Sequence, residues 1–180
     1  MKVVGFAGYS GAGKTTLIEQ VIALLVAGGE RVGVVKHAHH RFDIDHEGKD
    51  SWRHRKAGAA EVLVASDIRL ALLREFPAPQ ELSVHALLAE LDPTLDWVLV
   101  EGFRGTALPK LEVWRAPSAD HAGSAVLYPQ DAAVRAVVAD VPAAALPVPT
   151  ALPVLAWADP PAVVGWLRGH ADLFDYRAPH

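Results

Sequence analysis

Short apolar runs alternate along this 180-residue chain with longer segments in which apolar residues recur at helical spacing. The first run, KVVGFAG, predicts a buried strand, and the segment TTLIEQVIALLVAGG after it predicts a helix that ends at Gly28 and Gly29. Further helices are predicted at KDSWRHRKAG, with Asp50 or Ser51 near its N-cap, at ELSVHALLAEL and at PPAVVGWLRGH. The remaining strand candidates are RVGVVKH, AEVLVAS, IRLALLREF, DWVLVEGF, KLEVWR, RAVVAD and LPVLAWAD.

The order of these elements predicts the fold. Strands that alternate with helices favour an α/β fold, in which a mostly parallel, twisted sheet carries helices on both faces. AEVLVAS and IRLALLREF depart from that alternation and predict a hairpin or two neighbouring strands. The polar stretch HAHHRFDIDHEG predicts a loop, and a chain of this length is expected to form a single domain, residues 1–180.

The segment between the first strand and the first helix, GYSGAGKTT, has the spacing G-x-x-x-x-G-K-[ST]. Its glycines let successive backbone N–H groups turn toward an anion, and the dipole of the following helix favours the same charge. Lys14 is expected to contact the β- and γ-phosphates, and the Thr15 hydroxyl to bind Mg²⁺. The sequence therefore predicts a three-layer P-loop NTPase fold whose phosphate site comprises Gly11, Ala12, Gly13, Lys14, Thr15 and Thr16.

Other candidate site residues directly follow predicted strands. Ligands of parallel sheets bind beyond the carboxyl ends of the strands, so these residues are expected to converge. Glu101, after the apolar run WVLV, is the best candidate for the carboxylate that holds Mg²⁺, and with Lys14 it forms the predicted catalytic pair. The other members of this group are Lys36, His37, Gly102 and Asp140.

The loop after the second strand carries a further group of candidates. Asp43 and Asp45 lie in RFDIDHEG, and Asp45 is the better candidate because a loop in this place can fold over the γ-phosphate as a switch. Four histidines in and before this loop leave three interpretations open. They can form a transition-metal site, contact a phosphate or pterin phosphate, or simply face solvent. These histidines are His37, His39, His40 and His46.

Composition limits the chemistry further. The net charge of −4 gives no indication of nucleic acid or an anionic membrane as a partner, and the lack of cysteine excludes disulfides and thiolate metal sites. The first residues predict a core strand rather than a signal peptide, so a cytoplasmic location is expected. The chain also lacks asparagine, which excludes the N-K-x-D guanine signature. Asp140 and Asp159 remain as candidate acceptors for the N1–H and amino group of guanine.

Three segments resemble the molybdopterin-guanine dinucleotide biosynthesis protein B family, called MobB. In chain order they are GYSGAGKTTLIEQVI, VGVVKHAHHRFDIDHEGKDSWRHRKAGA and DWVLVEGFR. The P-loop is shared by many families, whereas K-H-x-H-H-x-F-D-I-D, G-K-D-S-W-R-H-R-x-A-G and E-G-F-[KR] are specific to this one. The resemblance extends to Arg115 and is only general from Ala116 onward.

The resemblance implies a homodimeric GTP-binding protein with weak intrinsic GTPase activity. Such a protein assists the attachment of GMP to molybdopterin beside a guanylyltransferase and near the molybdenum-insertion enzyme. It implies that Thr15 and Glu101 serve Mg²⁺, and it sets Lys36, His37, Asp45 and Lys49 inside family motifs without assigning each a contact. The residues alone leave two alternatives open. One is a small-molecule kinase of the uridine kinase or dethiobiotin synthetase type, and the other is a nickel-metallochaperone GTPase.

Overall fold

The computed structural model describes residues 1–38, 42–119 and 122–178. His39 and His40 lie outside the described residues, so the interpretations that involve them stay predictions. The described chain divides into two compact units, Met1–His37 with Ser83–His180, and Ala38–Leu82. The expectation of a single domain stays a prediction.

The described residues form strands and helices close to those predicted. The strands are β1 (Lys2–Ala7), β2 (Val32–Lys36), β3 (Glu61–Ala65), β4 (Leu70–Arg74), β5 (Trp97–Glu101), β6 (Lys110–Trp114), β7 (Val134–Ala139) and β8 (Val154–Ala156). The helices are α1 (Lys14–Ala27), α2 (Asp50–Lys56), α3 (Val84–Ala89) and α4 (Pro160–Gly169). Within the described chain, no helix has the length and apolarity that crossing a bilayer requires.

A parallel sheet forms the centre of the first unit. In the described chain its six strands take the order β2-β5-β1-β6-β7-β8, and every neighbouring pair is parallel. The carboxyl ends of all six strands therefore lie at one edge, as the sequence predicted. The fold class, a mostly parallel α/β sheet with helices, is confirmed.

Alternate residues of the central strands bury opposite faces of this sheet. Val4 and Phe6 of β1 pack in one apolar cluster with residues of α1 and α4. Val3, between them in the alternation, packs in a second cluster with Val98 of β5 and with Leu88 of α3. The sheet is thus covered by helices on both faces. Because Phe6 is fully buried, Phe6→Ala is expected to cost about 3–5 kcal/mol of stability.

The starts of helices α1 and α3 differ from the predicted ones for identifiable reasons. Helix α1 begins at Lys14, one residue before the predicted segment TTLIEQVIALLVAGG, because Gly13 takes a left-handed conformation and serves as the N-cap. Helix α3 begins only at Val84, because the Ser83 hydroxyl accepts a hydrogen bond from the backbone N–H of Ala86 and caps the helix there. Gly13 thus caps α1 through its backbone conformation, whereas Ser83 caps α3 through its side chain.

The second unit, Ala38–Leu82, consists of α2 and a hairpin. Strands β3 and β4 pair antiparallel, which confirms the predicted hairpin, and Lys49 takes the N-cap position of α2, directly before Asp50. Several apolar side chains of the hairpin are exposed, with Ile68 at its turn 87% exposed and Leu63 and Leu70 more than half exposed.

Candidate functional site

The loop between β1 and α1 wraps around the side chain of Lys14. Its ammonium donates hydrogen bonds to the backbone carbonyls of Gly8 (3.0 Å) and Tyr9 (2.8 Å). Gly8 has φ 144°, and a Cβ there would lie 2.3 Å from the Val113 carbonyl oxygen of β6, so no larger residue fits. The first backbone N–H groups of α1 have no partner within the helix, so the loop presents donors and a cation together.

Lys14 is half-buried, and this changes its acidity. Loss of hydration lowers the pKa of the Lys14 ammonium below its usual value, the Glu101 carboxylate opposes that shift, and the cations of Arg104 and Lys36 reinforce it. Lys14 therefore lies among charges of both signs at the loop. A bound phosphate would add negative charge and raise this pKa again.

Glu101 lies at the end of β5 and joins Thr15 to Lys36. Thr15 Oγ1 donates a 2.8 Å hydrogen bond to Glu101 Oε1, and Lys36 Nζ lies 3.2 Å from Glu101 Oε2. The sheet register explains this arrangement, because Glu101 pairs with Phe6 of β1 on one side and with Lys36 of β2 on the other. Hydroxyl and carboxylate oxygens are the ligands that Mg²⁺ prefers, so Thr15 and Glu101 fit this ion.

The chain after Glu101 folds back over the loop. Gly102 approaches His37 so closely that a Cβ would lie 2.9 Å from the His37 Cβ, and the His37 and Phe103 rings stack at 4.8 Å. The guanidinium of Arg104 lies 4.8 Å from the centre of the Tyr9 ring, at attractive cation–π distance. An arginine therefore stands beside the phosphate loop.

Buried Lys110 fixes this returning segment. Its ammonium, 2% exposed, donates to the carbonyls of Arg104 (2.8 Å) and Thr106 (2.6 Å) and pairs with Asp131 (2.9 Å). These bonds satisfy all three donors of the ammonium, which a buried charge requires. Lys110 thus positions the backbone that carries Arg104.

Asp140 follows β7, as predicted, and contacts the end of β6. Its Oδ1 accepts from the backbone N–H of Ala116 (2.9 Å), and its Oδ2 lies 3.3 Å from Arg115 Nε. Asp159, the other carboxylate proposed for base recognition, instead caps α4 by accepting from the N–H of Ala162 (3.0 Å).

Asp45 and Lys49 lie in the second unit. Asp45 accepts hydrogen bonds from Ser51 Oγ (2.8 Å) and Arg55 Nε (3.0 Å), and its side chain is only 7% exposed. Burial alone would raise the pKa of Asp45, but the bonds from Ser51 and Arg55 outweigh it and hold that pKa below its usual value. Arg55 also binds Asp43 and Glu75. These contacts give Asp45 a structural role, and its part in closing over a γ-phosphate stays a prediction.

The structure thus brings together Lys14, Thr15, Lys36 and Glu101, as the strand-end argument predicted. Residues that the sequence argument missed are Tyr9, Arg104, Arg115 and Trp157. A signal for two of them was present, because Arg115 and Trp157 directly follow β6 and β8. Among the described residues, no group of three or more histidine, aspartate or glutamate side chains is arranged to hold a metal ion.

A glycine-rich loop between the first strand and helix, a lysine over that loop, and a threonine–glutamate pair at its end define a P-loop nucleotide-binding fold. Comparison with known proteins narrows the class. The sequence pattern of one family, described as "Molybdopterin guanine dinucleotide synthesis protein B", matches residues 3–140. The chain belongs to this family, MobB, and the resemblance seen in the sequence is confirmed.

Individual relatives agree with this assignment. An Escherichia coli molybdopterin-guanine dinucleotide biosynthesis adapter protein is 43% identical over 141 residues, which cover 78% of this chain and 79% of the relative. A Haemophilus influenzae protein of the same name is 47% identical over 114 residues, and the match spans 63% of each chain. The crystal structure of a MobB homologue from Bacillus stearothermophilus superposes with a TM-score of 0.68 at 31% identity, covering 96% of this chain and 99% of that one.

Proposed function

We propose that this protein binds GTP with Mg²⁺ and acts as an adaptor in the attachment of GMP to molybdopterin, the step that yields molybdopterin guanine dinucleotide. The observation that carries the nucleotide part is the Lys14 ammonium held over the P-loop beside the Thr15–Glu101 pair. Membership of the MobB family supports the adaptor role in this pathway.

The chain's own groups have distinct parts in this binding. Lys14 exchanges the carbonyls of Gly8 and Tyr9 for phosphate oxygens, which are stronger acceptors because they are charged. Backbone N–H groups from Gly11 to Thr16 surround the same phosphates. Thr15 and Glu101 would hold Mg²⁺, which when bound neutralises charge on the β- and γ-phosphates. Lys36 pairs with the second oxygen of Glu101 and orients the carboxylate.

Intrinsic hydrolysis is proposed to be slow. The sequence from Lys14 to Glu101 holds no glutamine or arginine that its position alone marks as a water-positioning group or an arginine finger. The nearby Arg104 lies on Tyr9 instead. Unassisted GTPases turn over at about 10⁻⁴–10⁻² per second, and a similar rate, below about one per minute, is expected here. Such a slow rate suits a protein whose partners recognise whether GTP or GDP is bound, rather than an enzyme whose role is to hydrolyse GTP.

The proposed partners are the guanylyltransferase and the molybdenum-insertion enzyme, and the proposed location is the cytoplasm.

We also propose a homodimer. An isolated hairpin is marginal in water, and the exposed Leu63, Ile68 and Leu70 of β3–β4 offer an apolar surface for a second copy. Light scattering after size exclusion is expected to report a dimer for the wild type and a monomer for Leu70→Glu. A monomeric wild type would contradict this part alone.

A reconstituted reaction tests the adaptor role. Purified guanylyltransferase, molybdopterin and Mg-GTP are combined with and without this protein, and dinucleotide is followed by chromatography. The wild type is expected to raise the yield or rate, and Lys14→Ala is expected to lose the effect. Equal stimulation by both variants would refute a nucleotide-dependent role. Consumption of GTP or ATP that requires a small-molecule acceptor would favour the kinase alternative instead.

A further inference from the structure

Three side chains form a cluster beyond the ends of three neighbouring strands. Arg115 follows β6, Asp140 follows β7 and Trp157 follows β8. The Arg115 guanidinium lies 5.2 Å from the centre of a Trp157 ring, and Arg115 Nε lies 3.3 Å from Asp140 Oδ2. Arg115 thus contacts both Asp140 and Trp157, so a cation, a carboxylate and a flat aromatic surface occur side by side.

The cluster adjoins the phosphate loop. A Cβ on Gly13 would lie 2.9 Å from Trp157 Nε1 and 3.0 Å from its Cζ2, so the indole packs directly on the N-cap residue of α1. The indole Nε1–H is buried and has no hydrogen-bond acceptor within the described residues. Phenylalanine would give a ring at this position without a buried unsatisfied donor, so packing alone does not account for tryptophan here.

The sheet order sets this cluster on one side of the loop and the Glu101–Lys36 ion pair on the other. Glu101 and Lys36 end β5 and β2, which lie to one side of β1, whereas β6, β7 and β8 lie to the other side. A nucleotide whose γ-phosphate lies toward Glu101 therefore extends its base toward Arg115, Asp140 and Trp157. This argument rests on the nucleotide binding proposed above.

The chemistry of the cluster matches one base edge. Asp140 accepts two hydrogen bonds and, as a carboxylate, has acceptor capacity for about two more, which suits the N1–H and amino group of guanine. Arg115 retains donors beyond its Nε, which suit the neighbouring O6. Adenine presents a donor where guanine has O6, and it has no hydrogen on N1. The partly exposed guanidinium over an indole also offers a flat surface on which a base can stack.

We propose that Arg115, Asp140 and Trp157 form the base-selecting site of this protein and favour a purine with a C6 carbonyl and a C2 amino group. In this site Asp140 accepts hydrogen bonds from the two donors of the base, and Arg115 donates to its carbonyl. Trp157, which packs against Gly13, holds Arg115 in place.

Nucleotide analogues test this assignment without any substitution. Dissociation constants are measured by calorimetry for Mg-GTP, Mg-ITP and Mg-ATP, since ITP lacks only the C2 amino group. The expected order is GTP tightest, ITP weaker by about 10-fold, and ATP weaker still, because each hydrogen bond to a charged group contributes about 10–100-fold. Equal affinity for GTP and ITP would overturn the role of Asp140, and equal affinity for GTP and ATP would overturn the site.

Single substitutions then test which residues of the cluster determine the preference for guanine over adenine. Asp140→Asn replaces one acceptor by a donor, so it is expected to weaken GTP about 10–100-fold and to strengthen XTP, which carries a carbonyl at C2. Arg115→Ala is expected to lower the GTP-to-ATP preference, whereas Arg135→Ala, on exposed β7 surface, serves as the matched control and leaves it unchanged. Unchanged preference in both Asp140→Asn and Arg115→Ala would overturn the proposal.

Binding of Mg-tripolyphosphate separates this proposal from the proposed function. Tripolyphosphate has no base, so its affinity is expected to be the same for the wild type, Asp140→Asn and Arg115→Ala, which also shows that the variants are folded. If tripolyphosphate binds and base preference is insensitive to the cluster, nucleotide binding stands and the base site is refuted. If the wild type binds neither tripolyphosphate nor any nucleotide, the proposed function fails and this proposal fails with it.

Discussion

Gly13→Ala examines the contact between the phosphate loop and Trp157. Gly13 has φ 83°, so an alanine there costs about 1–2 kcal/mol of backbone strain. Its Cβ would also lie 2.9 Å from Trp157 Nε1, and such overpacking costs about 1–3 kcal/mol. Gly13→Ala is therefore expected to lower the free energy of unfolding by about 2–5 kcal/mol in total.

Gly29 supplies a matched control beyond the other end of the same helix. Its φ is 88°, close to that of Gly13, but a Cβ there would meet no atom within 4 Å. Gly29→Ala thus carries the backbone strain without the contact and is expected to cost about 1–2 kcal/mol. The difference between the two variants isolates the contact with Trp157.

Urea denaturation followed by circular dichroism measures both costs, and thermal melting gives a second reading. A difference of about 1–3 kcal/mol corresponds to about 2–12 °C for a chain of this size. In a double-mutant cycle, Gly13→Ala is expected to cost about 1–3 kcal/mol less in a Trp157→Ala background, because the ring is gone. Equal destabilisation by Gly13→Ala and Gly29→Ala would refute the packing of Trp157 on the loop.

Three further predictions concern catalysis, the metal and acidity. Arg104→Ala is expected to leave GTP turnover in a single-turnover assay unchanged, because Arg104 packs on Tyr9, and a lower turnover would show that Arg104 assists hydrolysis. Glu101→Gln is expected to weaken the Mg²⁺ dependence of both GDP and GTP binding, whereas Asp45→Asn is expected to reduce only the preference for GTP, and equal losses of GDP and GTP in Asp45→Asn would exclude a γ-phosphate switch. The hydrogen bond from Arg31, with those of Thr94, lowers the pKa of Asp92 from 3.8 to about 2. The stability this pair contributes is therefore present above about pH 4 and lost as pH falls toward 2, and thermal melts between pH 5 and 2 should lack this loss in Asp92→Asn.

Local sequence patterns predicted most of the secondary structure and the fold class. The spacing of glycines and lysine in GYSGAGKTT, the apolar runs of the strands and the break between AEVLVAS and IRLALLREF are properties of neighbouring residues, and the structure bears out the elements they predict. The convergence of Lys36 and Glu101 also followed from sequence, since parallel strands share one carboxyl edge.

Contacts between residues far apart in the chain could not be predicted from the sequence. The strand order β2-β5-β1-β6-β7-β8 is set by packing of the whole sheet, so nothing local predicts that Trp157 meets Gly13 or that Arg115 meets Asp140. Asp45 is predicted to act as a γ-phosphate switch because a loop after β2 can fold over the phosphate, and that role stays a prediction. Its bonds to Arg55 and Ser51 arise from a helix that follows in the chain, and no periodicity reveals them.

Calorimetric titration of Mg-GTP into the wild type and Lys14→Ala tests the central claim most directly. Lys56→Ala is the matched control, because Lys56 is an exposed lysine of α2 whose ammonium contacts Trp52. The wild type and Lys56→Ala are expected to bind Mg-GTP with the same affinity, and Lys14→Ala is expected to bind about 10–100-fold more weakly, as the loss of a charged hydrogen-bonding group predicts. Absence of binding by the wild type, or equal binding by Lys14→Ala, would contradict the assignment of this loop as a nucleotide site.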